Sequence, residues 1–223
     1  MIEFELERLS RQEGADIFGT SNVSECVPQR FSGLPYAVTI GVRLLDAVMD
    51  EVRSGPTKLY FHHYRTANAF LDMCALKCAL FLQRSGHKAV AIPASQTTSS
   101  AGIAADFPHK TAANLAGLGF MGKSGLFISA DYGPRVRLAT VLTDCPLPEA
   151  QMMQTQCGSC CACVEACPSG AIVGNTWRIG CSRDEIVDAA LCSRFMKEKY
   201  GMIGRGSVCG ICAAVCPVGS KTK

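Results

Sequence analysis

Cys157-Gly-Ser-Cys160-Cys161-Ala-Cys163-Val-Glu-Ala-Cys167-Pro168 and, further on, Cys209-Gly-Ile-Cys212-Ala-Ala-Val-Cys216-Pro217 decide how this chain is read. The first run is C-x2-C-x2-C-x3-C-P, a spacing that wraps a cubane iron–sulfur cluster. Three cysteines two residues apart curl round one face of the cubane, and the cysteine before proline points away to a second cluster. The second run is C-x2-C-x3-C-P, short by one leading cysteine, which Cys192 can supply. The reading is therefore two [4Fe–4S] clusters with crossed fourth ligands. Cluster one takes Cys157, Cys160, Cys163 and Cys216; cluster two takes Cys192, Cys209, Cys212 and Cys167. Each proline stops the local turn from continuing as a helix.

Two other chemistries use cysteine pairs. Zinc takes four ligands and has no use for a repeated Cys-Pro. A disulfide framework suits a small secreted chain, whereas this one has 223 residues and an acidic N-terminus unlike a secretory signal. Cys181, eleven residues before Cys192, is the alternative eighth ligand.

Composition fits a folded globular chain: 48% of the residues are hydrophobic and the formal charge is +3. That charge is too small to imply nucleic acid. Arg178, Arg183, Arg194, Lys197, Lys199 and Arg205 form a modest basic group, either a solvated face or a dock for an acidic electron donor. The apolar stretch from Phe70 to Leu82 is interrupted by Asp72 and Lys77 and is too short to span a bilayer. No membrane partner is expected, and a cytoplasmic, low-oxygen setting suits the clusters.

Only Cys26, Cys74, Cys78 and Cys145 of the fourteen cysteines precede Pro146-Leu-Pro148. A boundary is placed there, between a domain over 1–148 and a cysteine module over 149–223. The first domain reads as mixed α/β. Helices are expected over 3–13 (closed by Gly14), through Leu44 to Met49, over 66–84 (stopped by Gly86) and over 109–118. Strands are expected at 15–19, 35–42, 88–92, 126–129 and 136–142, with a turn over 119–125 and a loop over 93–108.

Ala116-Gly-Leu-Gly-Phe-Met-Gly-Lys123, Asp131-Tyr-Gly, Leu142-Thr-Asp144 with Pro146-Leu147, and Cys157-Gly-Ser-Cys160 together resemble the epoxyqueuosine reductase family. The same series is similar to the catalytic domain of the corrinoid reductive dehalogenases, and Tyr132-Gly-Pro-Arg-Val-Arg137 leans to that side. The resemblance implies an α+β architecture: a nitroreductase-like mixed α/β domain followed by a small bacterial ferredoxin-like two-cluster module. It implies cobalamin in the first domain, electrons from a low-potential donor such as ferredoxin or flavodoxin, and a small organic substrate. The sequence runs seven residues past Cys216, so the tRNA-binding C-terminal region of epoxyqueuosine reductases is not expected, nor is tRNA as a partner. Asp106-Phe-Pro108-His109 departs from the family's Asp-x-x-Pro element in spacing.

Under that resemblance Gly117, Gly119, Gly122 and Lys123 contact the cofactor; otherwise the glycines serve tight turns. Asp106, His109 and Tyr64 are the candidate proton donors, Asp106 also being a candidate helix N-cap. His62 and His63 can be read as a cobalt ligand or as one buried and one exposed ring. Cys74 and Cys78 share a helix face and suit core packing, while Cys145 and Cys161 fit no ligand slot. Two rival functions stay open: an electron-transfer or activating protein docking a partner, and an FMN-dependent reductase with the same module. A homodimer is left open too.

Overall fold

The computed structural model describes residues 2–95, 105–204 and 208–219. The chain divides into two compact units: residues 1–43, 66–119 and 137–153 form one, and 44–65, 120–136 and 154–223 the other. The last crossing, at 153/154, lies close to the boundary expected at 148. The cysteine region, however, shares its unit with two earlier segments.

The first unit is built on a four-stranded sheet. Its strands are β1 (Ile17–Asn22), β2 (Tyr36–Arg43), β3 (Ala89–Ile92) and β6 (Val136–Thr143), in the order β1-β2-β6-β3. β1 runs antiparallel to β2, with Ile17 opposite Gly41, and β3 antiparallel to β6, with Ala89 opposite Thr143. Alternation divides the side chains between two faces. Val38, Ile40, Ala139 and Val141 meet Leu6 of helix α1 (Ile2–Gln12) and Leu71, Cys74, Cys78 and Leu82 of helix α3 (Lys58–Arg84). Ala37 and Leu142 turn the other way, into a core with Phe107 and with Ala112 of α4 (His109–Leu115). Gly14 closes α1 with a φ of 98°.

Several elements differ from the sequence expectation. Helix α3 starts at Lys58 rather than 66, because Thr57 caps it: its hydroxyl accepts from the Tyr60 N–H at 3.0 Å. α4 ends at Leu115, three residues early. The expected turn over 119–125 contains a short strand, β4 (Gly119–Met121), which pairs with β5 (Phe127–Ser129). The expected helix after Leu44 is short, α2 (Asp46–Asp50), continued by a 3-10 turn over Glu51–Ser54. Residues 96–104 of the expected loop, and Arg205, lie outside the described residues.

In the second unit the two cysteine runs each form a one-turn helix, α5 (Ala162–Glu165) and α7 (Ile211–Ala214), which pack together. Between them lies α6 (Ala189–Tyr200). α7 also packs on the 3-10 turn over Glu51–Ser54. A Cβ on Gly210 would stand 2.8 Å from the Tyr60 hydroxyl and 2.9 Å from a Val52 methyl. The buried Arg135 guanidinium ties the same unit, meeting Asp46 at 3.0 Å and Asp50 at 2.7 Å. Among the described residues no helix is long and apolar enough to cross a membrane.

Candidate metal centre

Local hydrogen bonding brings the cysteines to their places. The Cys160 N–H donates to the Cys157 carbonyl at 2.9 Å, closing the first loop, and Cys163 rides on α5. After Cys167 and Pro168 the chain turns at Gly170, whose N–H donates to the Cys167 carbonyl at 3.1 Å. Residues 171–173 then pair with 186–188: Ile172 bridges Val187, and the Asp188 N–H donates to the Ala171 carbonyl at 2.9 Å. Asp188 caps α6, its carboxylate accepting from the Leu191 N–H at 2.8 Å, and Cys192 sits in that helix's first turns. This small ladder links the chain position of Cys167 to that of Cys192 and explains why the fourth cysteine of the first run leaves its own loop.

Several of the thiols raise one another's pKa. Burial raises the Cys163 pKa, and Cys157 and Cys160 raise it further. Cys216 is raised by burial and then by Cys157, Cys163 and Cys160. Cys192 is raised by burial and then by Cys209 and Cys167. Cys212 is pushed up to about 12 by burial, with Cys209, Cys192, Cys167 and Cys163 adding to it. These neighbours are compatible with the two sets expected from the sequence, Cys157, Cys160, Cys163 and Cys216 against Cys192, Cys209, Cys212 and Cys167, with Cys163 also acting on Cys212 across them. Thiols crowded in this way resist ionisation until a cationic core relieves their repulsion, so the donor chemistry fits an iron–sulfur cluster.

Cys167 is the exception in sign. Burial pushes its thiol up, but the Ser169 hydroxyl and the N–H groups of Ser169, Ala171 and Ile172 outweigh that and lower it. A sulfur ringed by donors is prepared as a thiolate. Among the described residues no three His, Cys, Asp or Glu side chains converge as they would round a single metal ion. Cys161, exposed, precedes α5, and Cys145 is buried in the sheet core. Cys74 and Cys78 are buried in that core as well, Cys78 lying 3.4 Å from the Ser10 hydroxyl.

The residues put forward for a corrinoid are engaged by the chain itself. A Cβ on Gly117 would lie 2.7 Å from the Gln151 carbonyl, and one on Gly122 2.9 Å from Ile128, so both glycines answer to tight packing. Gly119 is buried in β4. The Lys123 ammonium donates to the carbonyls of Gly158, at 2.8 Å, and Cys160, at 3.3 Å.

Asp106 and His109 belong to the first unit and Tyr64 to the second. Asp106 is paired with Arg30, and the N-cap position of α4 is Pro108, with no side-chain cap, so the N-cap reading of Asp106 is not observed. His109 Nε2 lies 2.9 Å from the Pro93 carbonyl, which only accepts, so Nε2 carries the proton; Nδ1 then accepts from the Thr140 hydroxyl at 2.9 Å. Burial, with the Arg137 charge adding to it, pulls its pKa down to about 4. Tyr64 stacks at a tilt on Tyr60, 6.2 Å between ring centres. His63 accepts the Leu45 N–H through Nε2 at 3.0 Å, which occupies the lone pair that a cobalt ligand would use, and His62 is exposed. Arg178 of the basic group is paired with Glu185 at 3.0 Å. Gly133 and Arg135 enter the sequence reading only within Tyr132-Gly-Pro-Arg-Val-Arg137; an arginine directly after Tyr-Gly-Pro is the one local signal.

A family model described as a 4Fe-4S double cluster binding domain matches residues 156–219. Curated relatives named epoxyqueuosine reductase include one from Lactococcus garvieae (strain Lg2), 36% identical over 46% of this chain and 29% of its own length. Another, from Vibrio cholerae serotype O1, is 33% identical over 47% of this chain and 29% of its own length. The matched part thus spans less than a third of either relative. Among solved structures, a catabolic reductive dehalogenase superposes with a TM-score of 0.76 at 19% identity, covering 96% of this chain and 31% of that one. A second structure, described as suggesting a mechanism for B12-dependent dehalogenation, gives 0.75 at 19% identity over 95% of this chain and 31% of that one. Epoxyqueuosine reductase from Bacillus subtilis gives 0.64 at 18% identity, covering 98% of this chain and 65% of that one. The chain therefore carries a 4Fe-4S double cluster domain within a fold shared by reductive dehalogenases and epoxyqueuosine reductases, and the resemblance read from its motifs holds in both sequence and structure comparisons.

Proposed function

We propose that this protein is an iron–sulfur reductase of the epoxyqueuosine reductase or reductive dehalogenase type, in which residues 149–223 are the electron-input module. The observation that supports the reading is the match of residues 156–219 to a 4Fe-4S double cluster binding domain, over cysteines spaced as such clusters need. When bound, two [4Fe–4S] clusters supply storage for single electrons at potentials tuned by hydrogen bonds and burial. The chain's part is to lower the pKa of Cys167 through the Ser169 hydroxyl and a ring of N–H donors, against the burial that raises it, and to hold the two runs together through α5 and α7.

The remainder of the chain, in this reading, is a nitroreductase-like domain that binds a second redox group and a small organic substrate. Cobalamin is the group proposed, on the strength of the fold likeness to a B12-dependent enzyme; when bound it supplies a strongly reducing cobalt centre. Gly117, Gly122 and Lys123 have own-chain contacts that account for them without a cofactor. His109 is a positioning group for the Pro93 carbonyl rather than a proton donor, since its one proton is committed to that carbonyl. Asp106, ion-paired with Arg30, and Tyr64, in the other unit, are each retained only as separate candidates for proton transfer.

A second reading is favoured by those same own-chain contacts: an electron-transfer or activating protein whose first unit docks a partner. Anaerobic titration of the cluster-loaded protein with hydroxocobalamin and, separately, FMN separates the two. Stoichiometric corrinoid uptake with a cobalt EPR signal supports the reductase. Two intact clusters with no uptake of either group replaces it with electron transfer, and FMN uptake alone moves the chemistry to a flavin.

A further inference from the structure

Lys123 sits in the turn between β4 and β5, thirty-five residues before the loop that it binds. Its ammonium donates to two backbone carbonyls, Gly158 at 2.8 Å and Cys160 at 3.3 Å. Both carbonyls belong to the Cys157-Gly-Ser-Cys160 loop, which carries two of the four thiols assigned to cluster one. A lysine is a compact charge on a flexible stem, and two acceptors on one short loop fix where that charge stands. Reduction adds one electron, and hence one negative charge, to a cluster. A cation held beside it therefore favours the reduced form, over a range that water and salt cut to about a Debye length, about 10 Å at 0.1 M.

We propose that Lys123 is a positioning residue that fixes the first cysteine loop and raises the reduction potential of cluster one selectively. This rests on the two-cluster reading. The electron added comes from an external low-potential one-electron donor, dithionite in the test; no bond is made or broken and no proton is needed. None of the ligands assigned to cluster two, Cys167, Cys192, Cys209 and Cys212, belongs to the Cys157–Cys160 loop that Lys123 holds, which is the ground for expecting selectivity. The β4–β5 turn thereby acquires a role in electron delivery.

The test is an anaerobic redox titration followed by EPR on the wild type and on Lys123→Gln, Lys123→Met and Lys123→Arg. The cluster signals are assigned beforehand with Cys160→Ser and Cys209→Ser. Glutamine keeps N–H donors but loses the charge, methionine loses both, and arginine keeps both. The expected result is that Gln and Met lower the reduction equilibrium of cluster one about tenfold, which is about 59 mV for one electron. Cluster two moves less, and Arg stays near the wild type. Unchanged potentials in Gln and Met at full iron overturn the proposal. So does an equal shift of both clusters, or a fall in Met that Gln does not share, which would make the contact a neutral tether. Iron content reports separately on the underlying reading: a wild type that never holds two clusters refutes that reading, whereas two clusters with unmoved potentials refute Lys123 alone.

Discussion

Gly133 and Val218 meet backbone to backbone: a Cβ on Gly133 would run into the Val218 carbonyl oxygen. Gly133 also has a φ of 59°, a conformation that side chains with a Cβ adopt at a cost of roughly 1–2 kcal/mol. Val218 follows Cys216 by two residues, and its N–H donates to the Cys216 sulfur. The glycine in Asp131-Tyr-Gly133 is therefore the seat on which the last ligand of cluster one rests.

Gly133→Ala should displace residues 218–219 and loosen Cys216. The expected outcome is selective loss of the cluster-one EPR signal with cluster two retained. Alanine at this position with both signals at full intensity would contradict the account.

Cys192→Ser should remove one cluster, whereas Cys181→Ser should leave both. Cys192 raises the pKa of Cys212 and is itself raised by Cys209 and Cys167, the company expected of a shared cluster. Iron analysis of the two variants decides it; the reverse pattern would assign the eighth ligand to Cys181.

His109 predicts a pH dependence of stability. Its folded pKa, about 4, lies below the ordinary histidine value of about 6.5, so the unfolded chain binds more protons between the two. The contribution of the neutral, buried ring is present above about pH 6.5 and is lost as the pH falls toward 4. It is on the order of 1–3 kcal/mol. The difference in melting temperature between the wild type and His109→Gln should shrink steadily over that window, cluster acid-lability being common to both. A difference independent of pH would contradict the assigned tautomer and burial.

Cys74→Ala and Cys78→Ala should each lower stability by about 1–3 kcal/mol through lost core packing while leaving iron content unchanged. Loss of iron in either variant would bring these thiols into the metal chemistry, against their place between α3 and the sheet.

What the sequence revealed follows the range of the forces involved. The β2 and β6 strands, α1 with its Gly14 stop, and the cysteine runs are local patterns, and they appear where expected. The start of α3 was missed because the cap at Thr57 follows Pro56, outside the apolar stretch that marked the helix. β4 reads as a turn in the sequence because three residues that begin with Gly119 and precede Gly122 carry too little periodicity. Nothing local could tell that the 44–65 and 120–136 segments join the cysteine region, since that rests on contacts such as Gly210 with Tyr60 and Arg135 with Asp46. Lys123 stood out as a residue, but its partners lie in the loop before Cys160 rather than on a bound group.

The account stands on two clusters held by eight named cysteines. Iron and acid-labile sulfide should be quantified in the anaerobically reconstituted protein, wild type beside Cys209→Ser. The account predicts about eight iron and about eight sulfide per chain for the wild type, falling toward half with one EPR signal surviving in the variant. Stoichiometric zinc with negligible iron, or unchanged iron in Cys209→Ser, would contradict it.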